Sequence, residues 1–166
     1  MRFFTAATLL TAITLALPAA VSAQGTEIRP INVRLTFHLI EADGEQRADP
    51  EILAVTTELR KLFRFDGYRL VTKSVLNATA WPHSNVRQRV SDDAGRSYLI
   101  SADVESNGSN VRLVVTLGSE NEGNLIAASV NLQDGKTVVL GTTSGSFKGQ
   151  ANSKALILAV TPTINP

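Results

Sequence analysis

The chain has no cysteine. That excludes disulfides, thiolate nucleophiles and cysteine-based metal sites. A domain built from it must hold together by its buried core alone. It also has only two histidines, His38 and His83, far apart in sequence, so few general bases are on offer. Charge of one sign is missing as well. Arg2 is the only charged residue in the first 23, and without it the 16 basic side chains fall level with the 15 acidic ones. A neutral domain lacks the electrostatic footprint of a nucleic-acid binder. No polybasic cluster is present to draw it to anionic lipid.

What is present begins with an export signal. "MRFFTAATLLTAITLALPAAVSAQG" has a basic start, an apolar stretch from Phe3 to about Leu17, the helix breaker Pro18 and the small-residue triplet "VSA". This is the layout of a secretory signal peptide with cleavage after Ala23. The apolar run is shorter than the roughly 20 residues that cross a bilayer. The expectation is therefore a periplasmic or secreted protein, residues 24–166, with no stable membrane insertion after cleavage. That length suits a single domain.

The mature chain reads as strand, helix, then about six strands. In "INVRLTFHLIEA", Ile31, Val33, Leu35, Phe37 and Leu39 alternate with Asn32, Arg34, Thr36 and His38. That is a strand with one buried face. Asp49 then offers a helix N-cap, Pro50 suits the first helical position and Glu51 favours the positive end of the dipole. Ile52, Val55, Leu59 and Leu62, with Phe63 beside them, follow at helical spacing, and Gly67 is a left-handed stop. "YRLVTKSVL" has mixed patterning, and "NATAWPHSN" reads as a loop or irregular edge. "VRQRV", "RSYLISADV", "VRLVVTLGS", "NLIAASVNL" and "TVVLG" are strands separated by Asp, Asn and Gly. "ALILAVTPTI" is a strand buried on both faces in mid-sheet, stopped by Pro162. Residues 142–153 form a mobile, Gly-rich loop. The fold class is α+β: a mainly antiparallel β-sheet with one amphipathic helix, which can cover one sheet face.

The chemistry-bearing residues do not form a recognised constellation. His38, with Glu41 and Asp43 beyond it, has the residue types of an oriented general base, but a solvent-facing strand histidine is the commoner occurrence. The carboxylates of "EADGEQRADPE" and "SDDAG" miss the EF-hand spacing and read as solvated turns. "GTTSGSFKGQ" lacks the G-K-[ST] of a phosphate loop, and no G-x-S-x-G elbow occurs. "NAT" at Asn77 is a glycosylation sequon with meaning only in a glycosylating host. No catalytic residue, metal ligand or cofactor is assigned, and the protein is not read as an enzyme.

"VNLQDGKTVVLGTTSG", followed by "KALILAVTPTI", carries a family likeness. Asp134, Gly135, Thr137, Val138, Val139, Leu140 and Gly141 match a D-G-x-T-V-V-[LI]-G turn and strand; Leu156, Ile157, Leu158, Thr161 and Pro162 match a later aliphatic strand ending in T-P. Residues 130–162 thus resemble the C-terminal end of the bacterial secretin domain of secretion and pilus systems. Thr142 stands where secretins often carry a second glycine, and the family's pore-forming hairpins have no evident room. The resemblance implies a secretin-like envelope β module working through protein–protein contacts, with a cell-envelope protein as partner. Sheet edges and the 142–153 loop would supply the contacts, with Phe147 and Lys148 as its large side chains. Two rival readings stay open. Trp81 and His83 in "WPHSN" would serve a periplasmic small-ligand binder for sugar or lipid; the third is a periplasmic enzyme of unknown reaction.

Overall fold

A computed structural model of the chain describes residues 30–43, 49–80, 83–106, 110–120, 123–144 and 155–166. The expected signal peptide lies outside the described residues. Among those described, the order is β1 (Ile31–Asp43), a 3-10 turn (Pro50–Ile52), α1 (Leu53–Leu62), β2 (Gly67–Ala80), β3 (His83–Ser91), β4 (Ser97–Ser106), β5 (Val111–Ser119), β6 (Gly123–Leu132), β7 (Val138–Ser144) and β8 (Ala155–Ile164). Seven strands follow the helix, not six, and every pairing is antiparallel. The class is α+β, as the patterning indicates.

The strands form two sheets, ordered β2-β1-β8-β7 and β3-β4-β5-β6. The chain is a meander whose first and last strands pair, and it passes between sheets at two corners, β2 to β3 and β6 to β7. The sequence reading expected a sheet covered on one face by the helix. The helix does cover the outer face of one sheet, but the strands divide into two sheets whose inner faces cover each other. Val33, Leu35, Phe37 and Leu39 of β1 share one core with Ile100, Ala102 and Val104 of β4 and Leu113, Val115 and Leu117 of β5. Period-two alternation in each strand turns these residues inward together.

The helix makes a second, smaller core on the outer side of the first sheet. Ile52, Val55 and Leu59 pack there with Ile40, Ala42, Tyr68, Ala155, Ile157 and Ala159. Such a side chain contributes roughly 2 kcal/mol on burial, which holds a ten-residue helix that would be marginal alone. Leu62 is 63% exposed and is not part of this core. Its place in the helical pattern is not matched by a facing surface, because the helix ends there. Phe63 is extended (φ −130°), its N–H donating to the Leu59 carbonyl at 2.8 Å. Gly67 is not in the left-handed region and opens β2. Asp49 is an N-cap as read, but of the 3-10 turn that leads into α1, whose own first residue is Leu53: the Asp49 carboxylate accepts from the Glu51 N–H at 3.0 Å, and its other oxygen accepts from the Leu70 N–H at 3.1 Å. One capping side chain thereby also ties the helix to β2.

A bulge serves both cores. Leu39 pairs with Thr72 but Ile40 with Leu70, so Val71 is extra and β2 changes face. Tyr68 and Leu70 point to the helix, whereas Leu76, Ala78 and Ala80 point between the sheets. This is the reason for the mixed pattern in "YRLVTKSVL". "NATA" is strand, not loop, and so is the "HSN" that opens β3. β8 is buried on both faces between β1 and β7, as its composition indicates. Pro162 does not stop it; the strand runs on to Ile164, with Pro162 opposite Leu35.

The Asp-Gly hairpin expectation needs a larger correction. Gly135 has φ +67°, but Asp134 does not have positive φ, so the turn is not the two-residue type I′ hairpin. Its two arms belong to different sheets and share no ladder. The corner between them is filled by side chain: a Cβ on Gly141 would meet Ile126 Cγ2 at 3.0 Å. Thr142–Ser144 belong to β7, which shortens the expected 142–153 loop at its start; its remainder is outside the described residues.

Candidate functional site

Among the described residues, no element packs over the outer face of the second sheet. Strand alternation lays its side chains out in rows. His83, Glu105, Arg112 and Asn131 form one; Asn85, Asp103, Val114 and Ser129 the next; Arg87, Ser101, Thr116 and Ala127 the third. The rows are held sideways by polar bonds. Asn85 Nδ2 donates to Asp103 Oδ1 at 2.6 Å, and Arg112 Nε to Ser129 Oγ at 2.9 Å. Arg112 also lies 3.8 Å from Glu105, and Arg89 pairs with Glu120. Arg87 is exposed on the edge strand β3 and makes no ion pair with any described residue. The inward partners Val86 and Val90 fix this orientation by packing on the core.

Of the sequence-selected contact residues, the structure places His83 on this face, exposed at the start of β3. Trp81, Phe147 and Lys148 lie outside the described residues. The row around Arg87 went unremarked in the sequence, although His83, Asn85, Arg87 and Arg89 already alternate with Ser84, Val86, Gln88 and Val90. That alternation is the signal that finds it.

A second polar assembly closes one end of the sandwich. Glu41, at the end of β1, accepts from Arg69 Nη2 of β2 at 3.3 Å and lies 3.5 Å from Arg96 Nη2, just before β4. Arg96 donates from its backbone N–H to Asp92 Oδ1 at 2.8 Å and from Nε to Oδ2 at 2.5 Å. Arg69 lies 3.9 Å from Asp93. Asp92 is not a solvated turn residue: its side chain is 2% exposed, against 92% for Asp93. Burial pushes the Asp92 carboxyl up, but the Arg96 main-chain and guanidinium bonds, with the Ala94 N–H, outweigh it and hold the group below the ordinary aspartate range. Three carboxylates and two guanidiniums gather here. Its ion pairs join Glu41 and Arg69 of the first sheet to Asp92, Asp93 and Arg96 beside the second, so the arrangement ties the two sheets together.

His38 is the third feature, and the sequence reading misplaced it. It is 7% exposed, not solvent-facing. Alternation along β1 sends it toward the helix side, whereas Glu41 turns to the arginines, so the two do not form an acid–base pair. Asp43 is buried as well. Burial lowers the His38 pKa, Lys73 lowers it further, and Glu51 acts in the opposite sense. Among the described residues, no group of three or more His, Asp or Glu side chains is arranged to hold a metal ion. No helix among them is long and apolar enough to cross a membrane, which says nothing of a β-barrel. Asn77 of the sequon is exposed in β2 and accepts from Arg34 Nε at 3.4 Å.

No family model matches the chain, and no curated protein matches it.

Proposed function

We propose that this is an exported cell-envelope module that acts through protein–protein contacts, with the outer face of the second sheet as its contact surface. The observation that carries the reading is the row from Arg87 to Ala127. It spans all four strands, has no described element over it, and presents an unpaired guanidinium at one edge. An exposed arginine with no internal partner is a group suited to a carboxylate on another protein. The edges of the sheets are less suited to strand addition than the sequence alone indicates. At one corner Ser74 Oγ donates to Gln88 Oε1 across β2 and β3, and at the other Ile126 sits against Gly141. The association with a secretion or pilus apparatus rests on the secretin-like stretch 130–162, and export rests on the N-terminal signal.

The test places changes at both ends of the row. Arg87→Glu reverses the unpaired charge and Ala127→Arg adds bulk, both at exposed sites where the expected stability change is within about 0.5 kcal/mol. Tagged protein purified from the envelope of an exporting cell should bring down a partner that both variants lose while melting as the wild type does. Retention of that partner by both variants would remove this face as the contact surface.

A further inference from the structure

We propose that His38 is a proton-sensitive latch: taking up a proton on its buried ring nitrogen loosens Pro50–Ile52 and the first turn of α1 from the outer side of the first sheet.

The argument starts from β1. Phe37 and Leu39 point between the sheets, so His38 points the other way, to the side where Ile40 and Ala42 meet Ile52 and Val55. The ring is buried, and its Nδ1 has no hydrogen-bond partner. In the neutral ring with the proton on Nε2, Nδ1 is a bare lone pair, whose burial costs little compared with a charged N–H. Protonation puts a donor and a positive charge at that same unpartnered position.

The surroundings make the charge more costly. On β2, Lys73 is directly opposite His38 and repels it. On β8, the directly opposite residue is Ala159, and Thr161 next along that face is not ionisable. The sheet-facing residues of α1 are Val55, Thr56 and Leu59, none of them ionisable. Glu51, in the turn above, is the one favourable charge. Lifting the Pro50–Ile52 turn would bring an imidazolium here water and Glu51 together. That turn is held by Ile52 in the small core and by the Asp49 bonds to Glu51 and Leu70. It is short enough to open without unfolding the sandwich.

The sign follows from the lowered pKa. The unfolded or opened state binds the proton more readily than the closed one, so closure is fully favoured above about pH 6.5, the ordinary histidine value. It weakens as pH falls from there toward the folded value.

The full chain carries two histidines, so a His83→Asn background leaves His38 as a single imidazole reporter. NMR titration in that background should place His38 below the ordinary histidine value. Lys73→Met should raise it, and Glu51→Gln should lower it further. Amide exchange, corrected for its intrinsic pH dependence, should show loss of protection at Ile52–Val55 between pH 7.5 and 5, with β4 and β5 unchanged. That loss should be absent in His38→Gln. Should the glutamine variant fail to fold, the Lys73→Met and Glu51→Gln shifts in opposite directions remain the deciding result. A His38 that titrates at or above the ordinary value, or equal loss of protection in the glutamine variant, would overturn the proposal.

Discussion

Between β3 and β4 the chain reverses over Asp92–Arg96, and between β6 and β7 it turns over Gln133–Thr137. Each connection is five residues long, each contains Asp and Gly, and each puts the glycine in the left-handed region, Gly95 at φ +77° and Gly135 at φ +67°. The first closes on itself. The Asp92 N–H donates to the Arg96 carbonyl and the Gly95 N–H to the Asp92 carbonyl, both at 3.0 Å. The Asp92 carboxylate takes the Arg96 groups, and Ser91 pairs with Ser97 directly above. The result is a hairpin within one sheet. The second turn has one internal bond, from the Lys136 N–H to the Gln133 carbonyl at 3.1 Å, and sends its others to β8. The Gly135 N–H donates to the Pro162 carbonyl at 2.9 Å, Asp134 Oδ1 accepts from the Ile164 N–H at 2.8 Å, and the Thr137 and Thr161 hydroxyls share a bond of 2.7 Å. β7 is thereby set beside β8 and away from β6. Asp and Gly decide that the chain turns; what the aspartate can reach decides which strand comes next.

The largest expected effect is at the turn that closes on itself. Asp92→Ala removes a buried carboxylate with two bonds to Arg96. Bonds to charged groups contribute about 1.5–3 kcal/mol each. Arg96 is about half exposed and regains water, so a net loss of about 2–3 kcal/mol is expected in chemical denaturation. A pH signature accompanies it. The Asp92 carboxyl titrates below its unfolded value, so its contribution is present above the ordinary aspartate range near pH 4 and lost as pH falls through the folded value. The variant should therefore have a shallower acid limb than the wild type. An unchanged acid limb would mean that the buried carboxylate is not what locks this hairpin.

The glycines come next and test what the two turns share. A Cβ at either Gly95 or Gly135 meets no heavy atom within 4 Å. The cost of Gly95→Val and of Gly135→Val is then backbone strain alone, about 1–2 kcal/mol in each case. Matching losses on thermal melting would confirm that the turns differ only in their outward bonds. A much larger loss for Gly135→Val would show that its docking on β8 tolerates no adjustment of the turn.

How much of this was legible in the sequence follows the same division between local and distant causes. β5 is readable to the residue and β8 in its burial, though not in its end beyond Pro162, because period two and a run apolar on both faces are local patterns. Asp49 and Pro50 mark the helix start for the same reason. The Val71 bulge is not readable, since an extra residue shows only against a partner strand. At the β6–β7 corner the change of sheet is accompanied by bonds from residues 134–137 to residues 161–164, which lie too far along the chain for a local pattern to show. The Glu41 cluster joins positions 41, 69 and 96, whose proximity no spacing rule encodes. On the proposed contact surface, what marks His83 in the sequence is its neighbour Trp81, but its place in the structure comes from the alternation it shares with Arg87. The polar side of each strand marks that row; the unusual residues Trp81, Phe147 and Lys148 lie outside the described residues.

The smallest expected effect isolates what separates the two turns. Asp134→Ala removes one carboxylate bond, to the Ile164 N–H, at an exposed position near the chain end. The bond is charge-assisted but water can replace the carboxylate, so the loss is about 0.5–1 kcal/mol. The Gly135 bond to Pro162 and the threonine pair remain, and so does the β7–β8 ladder from Val138 to Ser144. Global melting should therefore move little, and the change should be local: faster amide exchange at Ile164 and at Asn165, whose N–H closes onto the Asn32 carbonyl at 2.7 Å. Exchange in β6 should not change, because β6 owes its place to β5. If Asp134→Ala instead loosens β6 and β7 together, the two strands behave as the hairpin their sequence resembles, and the contrast between the turns is one of degree.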